Sequence, residues 1–365
     1  MQAVAVLPGK RDSLHLRDVP APSVEEIPDG RGVLVDVVRV GVDGTDREIV
    51  DALFGAPPEG DDFLIIGHES LGRVAAAGAG APDWAREGAL VVATVRRPGG
   101  SIYDRIGLQD MTTDPEVRER GINRLHGFLA ESYVDDAAYL VPLPEVLAEV
   151  GVLLEPLSIV EKGIRQAFEI QRRMRVWEPR RAVVVGAGSI GLLATLALRL
   201  RGLDVIVYSR RVPPYRNSRL AEAIGARYVS SSRSTLTEVC DRSGAPDLVI
   251  EASGYSPLAF QAADVLASNG VLVLTSVTGE NRTTEVRADR INLGFVLGNK
   301  VMVGTVNAHR DDFVTGVADL LRAEAAYPGW LGSLLTTPIG GLDGYGEMIG
   351  RLREDDDAIK VYVEL

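Results

Sequence analysis

A strand that runs into a tight glycine turn and directly on into a helix restricts a chain to very few folds. Here Arg181 to Val185 is a short apolar run. Gly186-Ala187-Gly188-Ser189-Ile190-Gly191 follows, and Ile190 to Arg201 carries apolar residues at helical spacing until Gly202 ends it. This is G-x-G-x-x-G with a strand before it and a helix after it. Gly186 allows the turn, Gly188 lets a pyrophosphate approach the backbone, and Gly191 permits close helix–sheet packing. Ser189 and Ile190 lie where the free N–H groups and the positive dipole end of the helix face phosphate. The pattern predicts a dinucleotide site, against the plainer reading of a purely structural turn.

The surrounding sequence repeats the alternation. Asp204 to Tyr208, Asp247 to Glu251, Gly270 to Thr275 and Val301 to Thr305 read as strands, and Arg219 to Ile224 reads as a helix stopped by Gly225. Strands at this spacing with helices between them predict a doubly wound parallel sheet, an α/β Rossmann domain. The second strand ends Val207-Tyr208-Ser209-Arg210-Arg211, without the carboxylate that holds an NAD ribose. Arginine forks match a phosphate and stack on adenine, so Arg210 and Arg211 favour NADP, with NAD as a usable second cofactor through the Ser209 hydroxyl. The competing reading makes both arginines ordinary surface charge in an Arg-rich chain.

At 365 residues the chain is long enough for about two domains at roughly 150 residues each. The first part differs from the middle. Gln2 to Val6, Val33 to Val38 and Ala89 to Val95 are short apolar runs separated by Gly, Pro and Asp, which predicts a β-rich domain. Pro98 to Arg120 lacks periodicity and is too long for a routine connection. Lys360 to Glu364 reads as a last strand that returns to the first domain. The expected organisation is 1–155, 156–308 and a returning segment 309–365.

With 51 acidic against 39 basic residues the formal charge is −12, which argues against a general nucleic-acid binder. One cysteine, Cys240, excludes an intramolecular disulfide and an all-cysteine zinc site. No apolar run reaches membrane-spanning length, and the N-terminus lacks the pattern of a signal peptide. The expectation is a cytoplasmic protein with no membrane partner.

The polar residues of the first part form a candidate metal set. His68 lies beside Glu69, just after Gly67; Asp43 stands upstream between glycines and Glu155 downstream at the domain junction. Two carboxylates and an imidazole supply three zinc ligands and leave a fourth position open, as catalytic zinc requires. By residue type alone, acidic turn residues and a core histidine satisfy the same pattern.

Longer stretches identify a family. Gly41-Val42-Asp43-Gly44-Thr45-Asp46-Arg47-Glu48, Gly67-His68-Glu69 with Gly72 and Val74, Val95-Arg96-Arg97-Pro98, Glu119-Arg120-Gly121-Ile122 before Gly127-Phe128, Glu155-Pro156-Leu157 with Glu161-Lys162, the Gly186 to Gly191 turn, Arg210-Arg211 before Pro213, and Gly304-Thr305-Val306-Asn307 occur in order over nearly the whole chain. In these the chain resembles the zinc-dependent medium-chain alcohol dehydrogenase superfamily and, within it, archaeal-type glucose dehydrogenases.

The resemblance implies a GroES-like catalytic domain beside the Rossmann domain, a cleft between them, and oxidation of an aldose at C1 to the lactone. It places Asp43, His68 and Glu155 as zinc ligands and Glu69 as an adjacent carboxylate that binds zinc directly or through water. Thr45 becomes the proton relay, Glu119 a partner of sugar hydroxyls, and Asn307 a neighbour of nicotinamide and sugar; Thr45 and Glu155 also face the substrate. Most members carry cysteine where this chain has Asp43, and aspartate there is similar to the haloarchaeal branch. An all-N/O ligand set is harder and looser in its choice of divalent metal. Pro98 to Glu116 contains no cysteine where many members bind a structural zinc, so one catalytic zinc is expected and no second. The family implies a homodimer or homotetramer. Another zinc-dependent polyol or alcohol dehydrogenase, or a non-catalytic NADPH-binding protein, are the alternatives.

Overall fold

The computed structural model describes residues 1–277 and 281–365. The chain forms two compact units: Met1–Glu155 with Asn307–Leu321 and Leu331–Leu365, and Pro156–Val306 with Arg322–Trp330.

The first unit begins with β1 (Gln2–Val6), β2 (His15–Asp18), β3 (Gly32–Val42), α1 (Gly44–Val50), β4 (Leu64–Ile65), β5 (Glu69–Ala77) and β6 (Leu90–Ala93). It continues with β7 (Arg96–Arg97), α2 (Ile102–Arg105), β8 (Arg118–Arg120), β9 (Arg124–Leu125), β10 (Ser132–Asp136) and β11 (Leu140–Pro142). β3 organises it. Val33, Val35 and Val37 alternate into the core, and then the phase changes so that Val40 and Val42 point inward. The pairing with β5 shifts register between Val37 and Arg39, so a bulge absorbs the extra residue and keeps both valine sets buried.

The cysteine-free lobe is held by side-chain capping. Ser101 Oγ accepts from Asp104 N, and Asp104 Oδ2 accepts from Ser101 N at 2.9 Å and from Thr112 Oγ1 at 2.7 Å. Asp114 Oδ2 accepts from Gly100 N at 2.6 Å.

The second unit contains most of α3 (Leu154–Gln171), then β12 (Arg181–Val185), α4 (Ser189–Leu200), β13 (Asp204–Ser209), α5 (Arg216–Ala223), β14 (Arg227–Ser230) and α6 (Leu236–Ser243). β15 (Leu248–Glu251), α7 (Ser256–Val265), β16 (Val271–Leu274), α8 (Ala288–Gly298) and β17 (Val301–Gly304) complete it. Its six strands are parallel in the order β14-β13-β12-β15-β16-β17. The order reverses at β12, the topological switch point where such sheets bind ligands beyond their strand ends. Ala182 to Val185 and Leu248 to Ile250 are fully buried, which is why these strands read as continuous apolar runs. α5 starts at Arg216, earlier than the sequence pattern placed it, because its first turn is polar and carries no apolar period.

α9 (Arg310–Ala326), β18 (Thr337–Gly340), α10 (Tyr345–Glu354) and β19 (Val361–Glu364) end the chain. β19 pairs antiparallel with β3, with Tyr362 opposite Gly41, and joins the sheet β11-β6-β5-β3-β19-β18, on which β10 also pairs with β3. No helix among the described residues is long and apolar enough to cross a membrane.

Candidate functional site

Three of the expected metal residues meet in the first unit. Asp43 leaves the end of β3 and caps α1; its Oδ1 accepts from Thr45 N at 2.7 Å, and the Thr45 hydroxyl also bonds to it. His68 directly precedes β5 and Glu69 begins it; they are 6% and 1% exposed. One ligand atom each from Asp43, His68 and Glu69 lies within 4.8 Å of the other two. Glu155, 5% exposed in the first turn of α3, lies close enough for its charge to act on His68.

Asp46, fully buried, orients the imidazole. Its Oδ1 accepts from Gly67 N at 3.0 Å, and its Oδ2 lies 3.7 Å from His68 Nδ1. Nε2 then faces Asp43, 3.9 Å from Oδ1. A carboxylate behind a histidine in this way is the usual support of a metal-ligating ring. In the sequence Asp46 is visible only as part of a motif, because its contact with Gly67 and His68 is made across the fold.

The electrostatics fit a cation. Burial, increased by the like charges of Glu69 and Asp43, pushes the Glu155 carboxyl up to about 8. Burial lowers the affinity of His68 for its proton, but Asp43, Asp46 and Glu155 outweigh it and hold the ring well above an ordinary histidine. His68 Nδ1, on the Asp46 side of the ring, lies beyond hydrogen-bond distance of that carboxylate and has no hydrogen-bond partner among the described residues, so Asp46 acts on the ring through its charge. Carboxylates crowded around an imidazole out of water repel one another unless a positive ion shares the site. The donors are oxygen and nitrogen only, which suits zinc and tolerates harder divalent ions.

A second polar group in the same unit gathers Glu119 and Asn307. Glu119 Oε1 accepts from Arg96 Nη2 at 2.7 Å and from Asn307 Nδ2 at 2.8 Å, and its Oε2 accepts from Asn123 Nδ2 at 3.2 Å. Arg96, Glu119 and Asn307 are each less than a tenth exposed. Asn307 holds a left-handed backbone (φ 61°), which asparagine tolerates better than most residues. Arg96, which fixes Glu119, was legible only as part of a motif.

In the second unit the glycine turn has its expected geometry. Gly186 has φ +111°, and a Cβ there would lie 2.5 Å from the Ala252 carbonyl oxygen. Gly188 caps α4 and faces open space, so a ligand can reach its backbone. Among the described residues the buried Ser189 Oγ has no hydrogen-bond partner, and Ile190 and Gly191 complete the first turn. Beyond β13, ending at Ser209, hydroxyls hold the main chain of the arginine pair. Ser230 and Ser232 donate to the Arg210 carbonyl, each at 2.9 Å, and Tyr228 donates to that of Arg211 at 2.7 Å. Both arginine side chains are exposed, and Arg211 lies 4.7 Å from the Tyr215 ring centre.

Residues 148–365 match the family described as the glucose dehydrogenase C-terminus, and residues 29–145 match the alcohol dehydrogenase GroES-like domain. The glucose 1-dehydrogenase of Methanocella arvoryzae is 42% identical over 367 aligned positions, covering all of this chain and 99% of the relative. A glucose 1-dehydrogenase of Thermoproteus tenax is 41% identical, with 92% of each chain covered. The solved structure of Haloferax mediterranei glucose dehydrogenase in complex with NADP, Zn and gluconolactone superposes with a TM-score of 0.89 at 34% identity, over all of this chain and 99% of that one. The 2R,3R-butanediol dehydrogenase of Bacillus subtilis, at 22% identity and TM-score 0.81, shares the fold alone. Both halves of the sequence match family models, and the relatives match over the full length; the chain belongs to the glucose dehydrogenase family of GroES-like alcohol dehydrogenases.

Proposed function

We infer that this chain oxidises glucose at C1 to the lactone, using zinc and passing hydride to NADP+. The observation that carries the reading is the grouping of Asp43, His68 and Glu69, with Glu155 nearby, in a chain that matches full-length relatives of that activity. Asp43, His68 and Glu155 would hold the zinc. When bound, the ion lends positive charge that makes the C1 hydroxyl proton easier to remove, and the oxidised nicotinamide accepts the C1 hydride. The Thr45 hydroxyl, placed on the Asp43 carboxylate, receives that proton and passes it outward. Glu119, fixed by Arg96, and Asn307 take up sugar hydroxyls, and an alcohol without those hydroxyls forgoes these contacts. Loss of one C–H and one O–H bond creates the lactone carbonyl. The test is NADP+ reduction with a panel of aldoses and simple polyols, before and after chelation. Turnover of polyols in preference to aldoses would favour the other dehydrogenase reading.

Metal analysis of washed protein is expected to give about one zinc per chain, because the lobe at Pro98 to Glu116 is held by caps and offers no thiolate. Two per chain would overturn the metal-free lobe.

Arg210 and Arg211 would bind the 2′-phosphate of NADP. Each charge-assisted contact is worth roughly 1.5–3 kcal/mol before desolvation losses. Arg210→Ala or Arg211→Ala should therefore cost about ten- to a hundredfold in NADP+ kcat/KM and leave NAD+ use little changed. Single variants with an unmoved cofactor preference would make the pair surface charge only.

A homodimer or higher homo-oligomer in the cytoplasm completes the proposal. On α8, Leu293, Val296 and Leu297 are 59%, 66% and 74% exposed, and among the described residues β17 pairs on one side only. Exposed apolar helix faces and open strand edges are both features that association covers. Sedimentation should find the parent as a dimer or larger and Leu297→Glu shifted towards monomer.

A further inference from the structure

The C-terminal strand brings a cation to the metal group that the scheme above leaves unused. Lys360 directly precedes β19 and is 2% exposed, with its ammonium against Glu69 Oε2. Its carbonyl accepts from Thr337 N at 3.2 Å, which ties its backbone to β18. The residue opposite makes room for the pair. A Cβ on Gly41 would stand 1.9 Å from Glu69 Oε2 and 2.8 Å from Lys360 Cε, and Gly41 pairs with Glu69 on one side and Tyr362 on the other. Three strands thus converge on one buried ion pair, and β3 carries glycine where the pair crosses it.

The pair sits where it can control coordination. Asp43, His68 and Glu155 supply three ligands, and a catalytic zinc needs a fourth position for substrate. Glu69 has an oxygen within 4.8 Å of the Asp43 and His68 ligand atoms, so a free Glu69 would close the shell. Charge points the same way: the ammonium lies close enough to act on Glu69, Asp43 and Glu155, and it contacts Glu69 directly. We propose that Lys360 is a positioning residue that holds Glu69 back from the metal and keeps the fourth coordination position open to the sugar. The proposal rests on the metal-site reading above.

The test is a double-mutant cycle on the full chain with Lys360→Met, Glu69→Gln and the combination. Zinc release to a chelator, measured without substrate, is read beside KM and kcat for glucose. Lys360→Met frees Glu69 to ligate, so zinc release should slow at least tenfold, and KM should rise more than kcat falls. In the Glu69→Gln background the same change should move release less than twofold. Unchanged or faster release in Lys360→Met overturns the proposal. So does slowing that persists undiminished without Glu69, because Lys360 would then act through its field alone. Lys360→Gln, which keeps a donor but no charge, should slow release in the same direction and serves where Met prevents folding. A parent that takes up no zinc sinks the metal-site reading itself, whereas one bound zinc with no coupling in the cycle sinks only the role of Lys360.

Discussion

His68→Ala should lose bound zinc and reduce kcat/KM for glucose roughly a thousandfold or more, about 4 kcal/mol of transition-state stabilisation, while the protein stays folded. The ring is the neutral ligand among carboxylates, and Asp46 holds Nε2 towards them. Removing it leaves an all-carboxylate set whose mutual repulsion grows. The fold should survive because His68 is not part of the apolar core of its unit, which is built on the β3 valines and their neighbours. Zinc content, kinetics and a melting curve check the three parts separately. A variant that keeps full zinc and turnover would remove His68 from the site. One that loses its cooperative melt would make the residue structural.

Asp135→Ala should cost about 3–5 kcal/mol of stability, a large share of the ~5–15 kcal/mol that holds a typical protein folded. Asp135, with a side chain only 4% exposed on β10, pairs with Arg97 and Arg120. Arg97 Nε donates to Oδ1 at 3.2 Å and Arg120 Nε to Oδ2 at 3.2 Å. Truncation leaves the buried Arg97 guanidinium and the half-buried one of Arg120 without this carboxylate. Burial by itself would raise this acid, but Arg120 and Arg97 outweigh it and hold it below the usual carboxylate range. Its stabilisation is therefore complete above the unfolded value of about 3.9 and is lost as pH falls through the lower folded value. Asp135→Asn keeps the shape without the charge, so its deficit should be large at pH 7 and shrink below about pH 4. Denaturant unfolding at both pH values reads this. A variant within about 1 kcal/mol of the parent at pH 7 would mean that water or neighbouring groups replace the carboxylate.

The second unit was the more legible half. Its strands are buried on both faces, so each reads as an unbroken apolar run, and the glycine turn is a local motif whose parts are neighbours in sequence. The first unit is less open to reading. Val33 to Val42 contains a bulge, so its alternation changes phase midway, and no simple period describes it. The excursion after Pro98 shows no periodicity because its order comes from capping bonds made by Ser101, Asp104, Thr112 and Asp114.

Asp43, His68 and Glu155 became candidate ligands only through the family resemblance, since residue type alone does not separate ligands from acidic turns. Lys360 carried a weak signal. It is one of four lysines in the chain and stands in an otherwise apolar stretch, Ala358-Ile359-Lys360-Val361-Tyr362-Val363, where a charge must find a partner or cost the fold heavily. Its partner was not readable, because Glu69 is far away along the chain and meets Lys360 only through the pairing of β19 and β5 with β3.

By itself the sequence determined the parallel sheet, the glycine turn, the arginines beyond the second strand and the residue types available for a metal, since each is set by neighbours within a few positions. Only the tertiary structure decided which carboxylates face the imidazole, which acid stands behind it, and which cation restrains Glu69. Those are contacts between distant strands. Register decides them, and a shift of one residue in β19 would turn the side chains that follow Lys360 to the other face of the sheet.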